Sequence, residues 1–178
     1  AFVLYYRVPR QRNGALMDLQ RAIRIVRSHS TEWKIDPANI GVLGFSAGGS
    51  LAARAASRYN DPAYPPTDPI DSISCKPDFC LLIYPAYLDQ GENHTLTPEL
   101  NVDSETPPAF LFATADDKHA NSALVMAGAL HQANVPVELH LMPQGGHGYG
   151  LRPGNPAAEA WPGWAQEWLE RFVLNWGE

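Results

Sequence analysis

A chain of 178 residues, 45% of them hydrophobic and 18% charged, suits one globular domain spanning residues 1–178 with a single sizeable core. Its net charge of −6 gives no basic footprint, which speaks against nucleic acid or anionic membrane as partners. No apolar run approaches the roughly 20 residues of a membrane-spanning helix, and no basic-then-apolar leader opens the chain, so the compartment is not written in it.

In chain order, the apolar run Ala1 to Tyr6 reads as a buried strand. Leu16, Leu19, Ile23 and Val26 then fall on one helical face at spacings of three and four. A second strand is expected over Ile40 to Gly44, followed by an Ala- and Leu-rich helix from Ala47 to Ser57. Asn60 to Pro77 is Pro- and Asp-rich and irregular. Phe79 to Tyr84 is the third strand, and Asp89 to Pro108 a second irregular stretch. Loops this long in a compact domain carry function or disorder. Phe110 to Ala113 and Val137 to Leu141 complete the strands, separated by a helix over Ser122 to Ala133. The final stretch places Trp161, Trp164, Trp168, Leu169, Phe172, Val173 and Trp176 on one stripe, which reads as core packing rather than a carbohydrate platform. Near-continuous apolar strands alternating with helices imply right-handed crossovers and a parallel sheet covered on both faces.

Cys75 and Cys80 lack a second Cys/His pair at zinc spacing, so they read as two unpaired thiols, Cys80 filling the core at a strand start, with a local disulfide as the alternative. Nothing else in the sequence calls for a metal or cofactor.

The strongest local signal is Gly44-Phe45-Ser46-Ala47-Gly48, which follows an apolar strand and precedes a helix-forming run. A serine on such a turn is held in a strained backbone that lifts its hydroxyl above the sheet edge. Glycines two residues to either side are expected because a Cβ there would collide with strand or helix. This serine needs a base, and the base an acid to orient it. Among six histidines, His147 stands out within Gly145-Gly146-His147-Gly148-Tyr149-Gly150, directly after the last strand. His29 and His131 read as solvated helix residues, and His140 as a half-buried strand residue. His94 lies in an irregular loop, and His119 follows an acidic pair. That pair, Asp116 and Asp117, comes after a strand and before the histidine, and either can hold the imidazole while the other favours the next helix N-terminus. The chemistry implied is acyl transfer, with the backbone N–H of Ala47 receiving the oxyanion.

These residues resemble the esterase/lipase-type α/β-hydrolases, in particular the acetyl-xylan-esterase-like and dienelactone-hydrolase-like branch. Matching segments are Tyr6-Arg7-Val8-Pro9, Gly41 to Ser50, Pro77-Asp78-Phe79, Ile83-Tyr84-Pro85, Pro107 to Leu111 and Gly145 to Arg152. The resemblance implies an α/β-hydrolase fold, with Ser46 as nucleophile, Asp116 as acid and His147 as base. Asp117 is the second choice for the acid. It also implies a carboxylesterase for small acyl esters, including acetyl esters of plant-wall carbohydrate, in a family whose members are often secreted. Tyr149 is a candidate for lining the acyl pocket, with packing against the last helix the competing reading.

Family members carry a His-Gly-Gly-Gly-type oxyanion loop ahead of the segment that opens this chain, and one further strand between those starting at Ala1 and Ile40. Neither is present here, so an N-terminal truncation, a missing second oxyanion donor and weak activity are expected, the missing donor alone being worth about 10²–10³ in rate. The strands then either close the gap or leave an edge open to self-association. The rival readings are a peptidase of the prolyl-oligopeptidase kind and a catalytically inert fragment.

Overall fold

A computed structural model describes residues 1–173; Trp176 of the aromatic stripe lies outside them. Helix α1 spans Arg12–Ser28 and the short α2 Ser30–Trp33. Strand β1, Val42–Phe45, leads into α3, Ala47–Ser57. Strands β2, Cys80–Ile83, and β3, Ala109–Thr114, are followed by α4, Ala120–Gln132, β4, Val137–Met142, and α5, Pro156–Phe172. The four strands form one parallel sheet in the order β1-β2-β3-β4, with Val42, Cys80, Ala109 and Val137 in register across it.

Every residue of β2 and β3 is buried, because helices cover both faces of the sheet. Leu82 and Leu111 face one way, into a core shared with Ile23 of α1, Ala52, Ala53 and Ala56 of α3, and Met126 and Leu130 of α4. Their neighbours Leu81, Ile83, Phe110 and Phe112 face the other way, onto Trp161, Ala165 and Trp168 of α5. This alternation follows from the two-residue period of a strand. Most of the tryptophan stripe is core: Trp161, Trp168 and Val173 are buried, whereas Phe172 is exposed, and the Trp161 indole N–H donates to the Gly150 carbonyl at 2.8 Å. Cys75 and Cys80 are both free thiols and buried, and burial raises the pKa of each.

The strand expected over Ala1 to Tyr6 does not form. A strand exists only through a neighbour's N–H and C=O groups, and β1 pairs with β2 alone among the described residues. Residues 1–8 therefore run as an unpaired segment, with Phe2, Val3 and Tyr5 exposed. Tyr6 packs on the small cluster of Ala15, Leu16, Leu51 and Ala55, and the Arg7 guanidinium is held by Asp18 at 2.8 Å. The gap beside β1 is thus left open, and Leu43 and Phe45 of that strand stand exposed.

The irregular stretch from Asn60 to Pro77 is tied to α1 by several contacts, among them Arg21 to Asp68 and Arg24 to the Ile73 carbonyl, and its most buried carboxylate is Asp71. Asp71, its side chain 1% exposed, accepts hydrogen bonds from Tyr64 Oη, the Thr67 N–H and hydroxyl, and Arg21. Burial alone would raise the Asp71 pKa, but these donors outweigh it and hold it below the usual carboxylate range. Its contribution to stability is therefore present above the unfolded carboxyl value, about 3.9, and lost as pH falls through the depressed native value. Asp71→Ala should lower Tm by about 5 °C or more at neutral pH. Scanning calorimetry should show that gap closing as wild type and variant are taken from about pH 5 to about pH 2.

Candidate active site

Ser46 sits between β1 and α3 with φ 52° and ψ −116°, a backbone conformation that costs free energy for any residue with a Cβ. The surroundings hold it there. Its N–H donates to the Ile83 carbonyl at 3.1 Å, and its carbonyl accepts from Ser50 and Ala86 at 3.1 and 3.2 Å. Gly44 is required sterically, since a Cβ there would lie 2.1 Å from the Gly48 carbonyl oxygen. The matching expectation for Gly48 fails: a Cβ there meets nothing closer than Tyr6 Oη at 3.9 Å. The crowded glycine on the helix side is Gly49, whose Cβ would meet Pro85 at 3.1 Å.

Ser46 Oγ lies 2.7 Å from His147 Nε2, and His147 Nδ1 lies 2.6 Å from Asp117 Oδ2. An ionised carboxylate only accepts, so Nδ1 carries the proton and Nε2 is left to accept from the serine hydroxyl. The Asp117 side chain is 1% exposed and that of His147 is 28% exposed, so the relay runs from the interior to the surface. Asp117 also accepts the His119 N–H through Oδ1 at 2.9 Å, ahead of α4. One residue therefore does both jobs that the sequence divided between two acids.

Asp116 does not reach the imidazole. Its carboxylate accepts the N–H groups of Gly145 and Gly146 at 3.2 and 2.9 Å. Those two backbone donors, Gly146 foremost, hold the Asp116 carboxyl below its ordinary pKa. The reason is directional: successive residues leaving a strand point to different sides, and only Asp117 turns inward beneath the histidine. The glycine loop is clamped further. Thr114 Oγ1 donates to the Gly146 carbonyl at 2.8 Å, and Asn155 donates to that of Gly145 at 3.0 Å while capping α5. Gly146 and Gly148 flank the histidine at φ 68° and 72°, which glycine alone adopts without strain.

Ala47 is the first residue of α3, where a helix has no internal acceptor for the N–H, and it is exposed beside Ser46. Tyr149 is a core residue rather than an exposed one. It is 1% exposed and packs edge-on against Tyr84 and Phe112, because the loop turns its ring under the sheet edge. Tyr84 accepts the Gly150 N–H at 3.1 Å and sets its ring 5.1 Å from that of His147. His140 is half-buried, stacked on Trp164 and hydrogen-bonded to Glu138. His29, at the end of α1, stacks on Trp33, and His131 is exposed.

Of the triad's further neighbours, Tyr87 stands with Tyr84 and Pro85 in the segment after β2 that strand-end position marks as shaping the cleft, while His119 drew no role from the sequence. The His119 ring lies 5.0 Å from that of His147, and Tyr87 lies 5.1 Å beyond it. Their only signal was position just after strand ends, where ligands of parallel sheets collect. A cavity of about 380 Å³ adjoins Ala47, lined among others by Tyr6, Val8, Arg10, Leu51 and Tyr87.

Residues 2–102 match the family described as the alpha/beta hydrolase fold. The solved acetyl ester-xyloside bifunctional hydrolase from Caldicellulosiruptor lactoaceticus superposes with a TM-score of 0.84 at 38% identity, covering 96% of this chain and 70% of that one. An acetylxylan esterase of Xylanibacter ruminicola is 27% identical over 176 residues, covering 84% of this chain and 34% of its own. Endo-1,4-beta-xylanase B of Butyrivibrio fibrisolvens is 29% identical over 153 residues, covering 75% of this chain and 24% of its own. The chain thus spans a quarter to a third of the length of these two curated relatives.

Proposed function

This chain belongs to the α/β-hydrolase fold family, and we propose that it acts as a serine carboxylesterase on small acyl esters, acetyl esters of plant-wall carbohydrate among them. The observation that carries the reading is the unbroken relay Ser46–His147–Asp117, at 2.7 and 2.6 Å, placed where the strands end. The names of the esterase relatives support the acyl and carbohydrate classes.

In this reading Ser46 Oγ attacks the ester carbonyl carbon while its proton passes to His147 Nε2. The carbonyl oxygen becomes an oxyanion facing the Ala47 N–H. Asp117 stabilises the imidazolium and keeps its tautomer. His147 then donates the proton to the leaving alkoxide oxygen as the C–O bond breaks, which leaves an acyl ester on Ser46. Water, deprotonated by the same imidazole, attacks this ester and returns the free serine and the acid.

A fluorophosphonate probe tests the proposal, since it reacts with an activated serine and ignores an inert one. Labelling should map to Ser46, vanish in Ser46→Ala and fall steeply in His147→Ala, in parallel with acetate release from ethyl acetate. Labelling equal to that of the Ser46→Ala control would sink the proposal.

A further inference from the structure

Four residues past the end of β2, Tyr87 has φ 62°, an unusual conformation for a bulky residue. Its neighbours Ala86 and Leu88 are 0% and 1% exposed, yet its own residue is 47% exposed. The conformation is over-determined by its surroundings. The Ala86 N–H donates to the Ser46 carbonyl, the Leu88 N–H donates to Ser122 Oγ at 3.1 Å, and Thr97 Oγ1 donates to the Tyr87 carbonyl at 3.1 Å. Asp89 ties the following turn to α4 through Ser122 and Asn121. An aromatic ring is thus held out into solvent on a rigid base, although burying it would have been favourable.

Its surroundings say what the ring faces. Tyr87 is edge-on to His119 with centroids 5.1 Å apart, and His119 is 5.0 Å from His147, so the three rings form a file leading outward from the base. A general acid must touch the leaving oxygen, so the alcohol part of an ester lies against His147. Beyond that oxygen, the next side chains in the file are His119 and Tyr87. They offer a flat π-face with a phenol at its edge and an imidazole that donates or accepts. That pairing suits a pyranose ring, which has an apolar C–H face and a rim of hydroxyls.

We propose that Tyr87 and His119 form the leaving-group subsite, where a sugar ring stacks on Tyr87 and one of its hydroxyls hydrogen-bonds His119. The proposal rests on the ester-hydrolase reading above and deepens it by assigning the alcohol side. Neither residue takes part in proton transfer; both act on which alcohol is held.

The test compares acetylated xylobiose with ethyl acetate, whose leaving group is too short to reach Tyr87. Tyr87→Ala and His119→Ala should each lower the ratio of kcat/KM for the sugar ester to that for ethyl acetate by about 10-fold, mainly through KM. Tyr87→Trp, which keeps the π-face, should retain the ratio within about 3-fold. Equal losses on both esters, or an unchanged ratio in Tyr87→Ala, would overturn the subsite. A second readout does not depend on turnover: saturation-transfer NMR of xylobiose with the Ser46→Ala chain, with and without Tyr87→Ala. Contact that disappears with Tyr87→Ala supports the subsite, whereas no contact in either chain overturns it. Failure of the esterase reading looks different, as absent fluorophosphonate labelling and no turnover of ethyl acetate by the native chain.

Discussion

Asp117→Asn is expected to lower kcat for any ester this chain cleaves by about 10³–10⁴, with KM little changed. The amide can present its N–H₂ to His147 Nδ1, which then becomes the acceptor and leaves Nε2 protonated, unable to take the Ser46 proton. The contrast with the adjacent acid makes the test decisive. Asp116 holds the Gly145 and Gly146 N–H groups, 3.2 and 2.9 Å away, rather than the imidazole, and an amide oxygen can still accept one of them. Asp116→Asn should therefore cost about 10-fold or less, and Asp116→Ala about 10- to 100-fold, through a histidine loop that wanders. Steady-state kinetics on ethyl acetate decides between the two acids. If Asp116→Asn were the more damaging change, the relay proposed for catalysis would be wrong.

The other large effect falls on stability. Gly44→Ala would drive a Cβ to 2.1 Å from the Gly48 carbonyl oxygen, a clash of backbone with backbone that no rotamer change relieves. A loss of more than about 3 kcal/mol is expected, seen as a fall in the urea midpoint at unchanged m. Gly48→Ala, four residues on, has room for its methyl and lies inside α3, so it should gain roughly 0.5–1 kcal/mol from helix propensity. The two glycines look equivalent in the motif, and their opposite signs would establish that only one is there for space.

What could be read in the amino acids was whatever adjacent residues encode. Val42 to Phe45, then Ser46, then an Ala-rich run to Ser57 specify strand, tight turn and helix in sixteen residues, which is why the nucleophile was legible without a fold. His147 was legible because its flanking glycines announce a loop with positive φ directly after β4. Four strands and the burial of the tryptophan stripe followed from hydrophobic period alone. The remainder depended on groups far apart in the chain. Asp116 and Asp117 are chemically alike, and only the path of the Gly145–Gly146 loop, some thirty residues on, decides which one faces the imidazole. Tyr149 went to the core because Tyr84 and Phe112, from two other strands, meet it there. The first apolar run failed as a strand because, among the described residues, no neighbour pairs with it beside β1. Gly48 proved roomy and Gly49 crowded because Pro85 of the next strand-end packs on one and not the other. Local sequence specifies the chemistry each residue can offer; the tertiary structure alone sets the direction in which it is offered, since hydrogen bonds and steric contacts act over a few ångströms between residues the chain has separated.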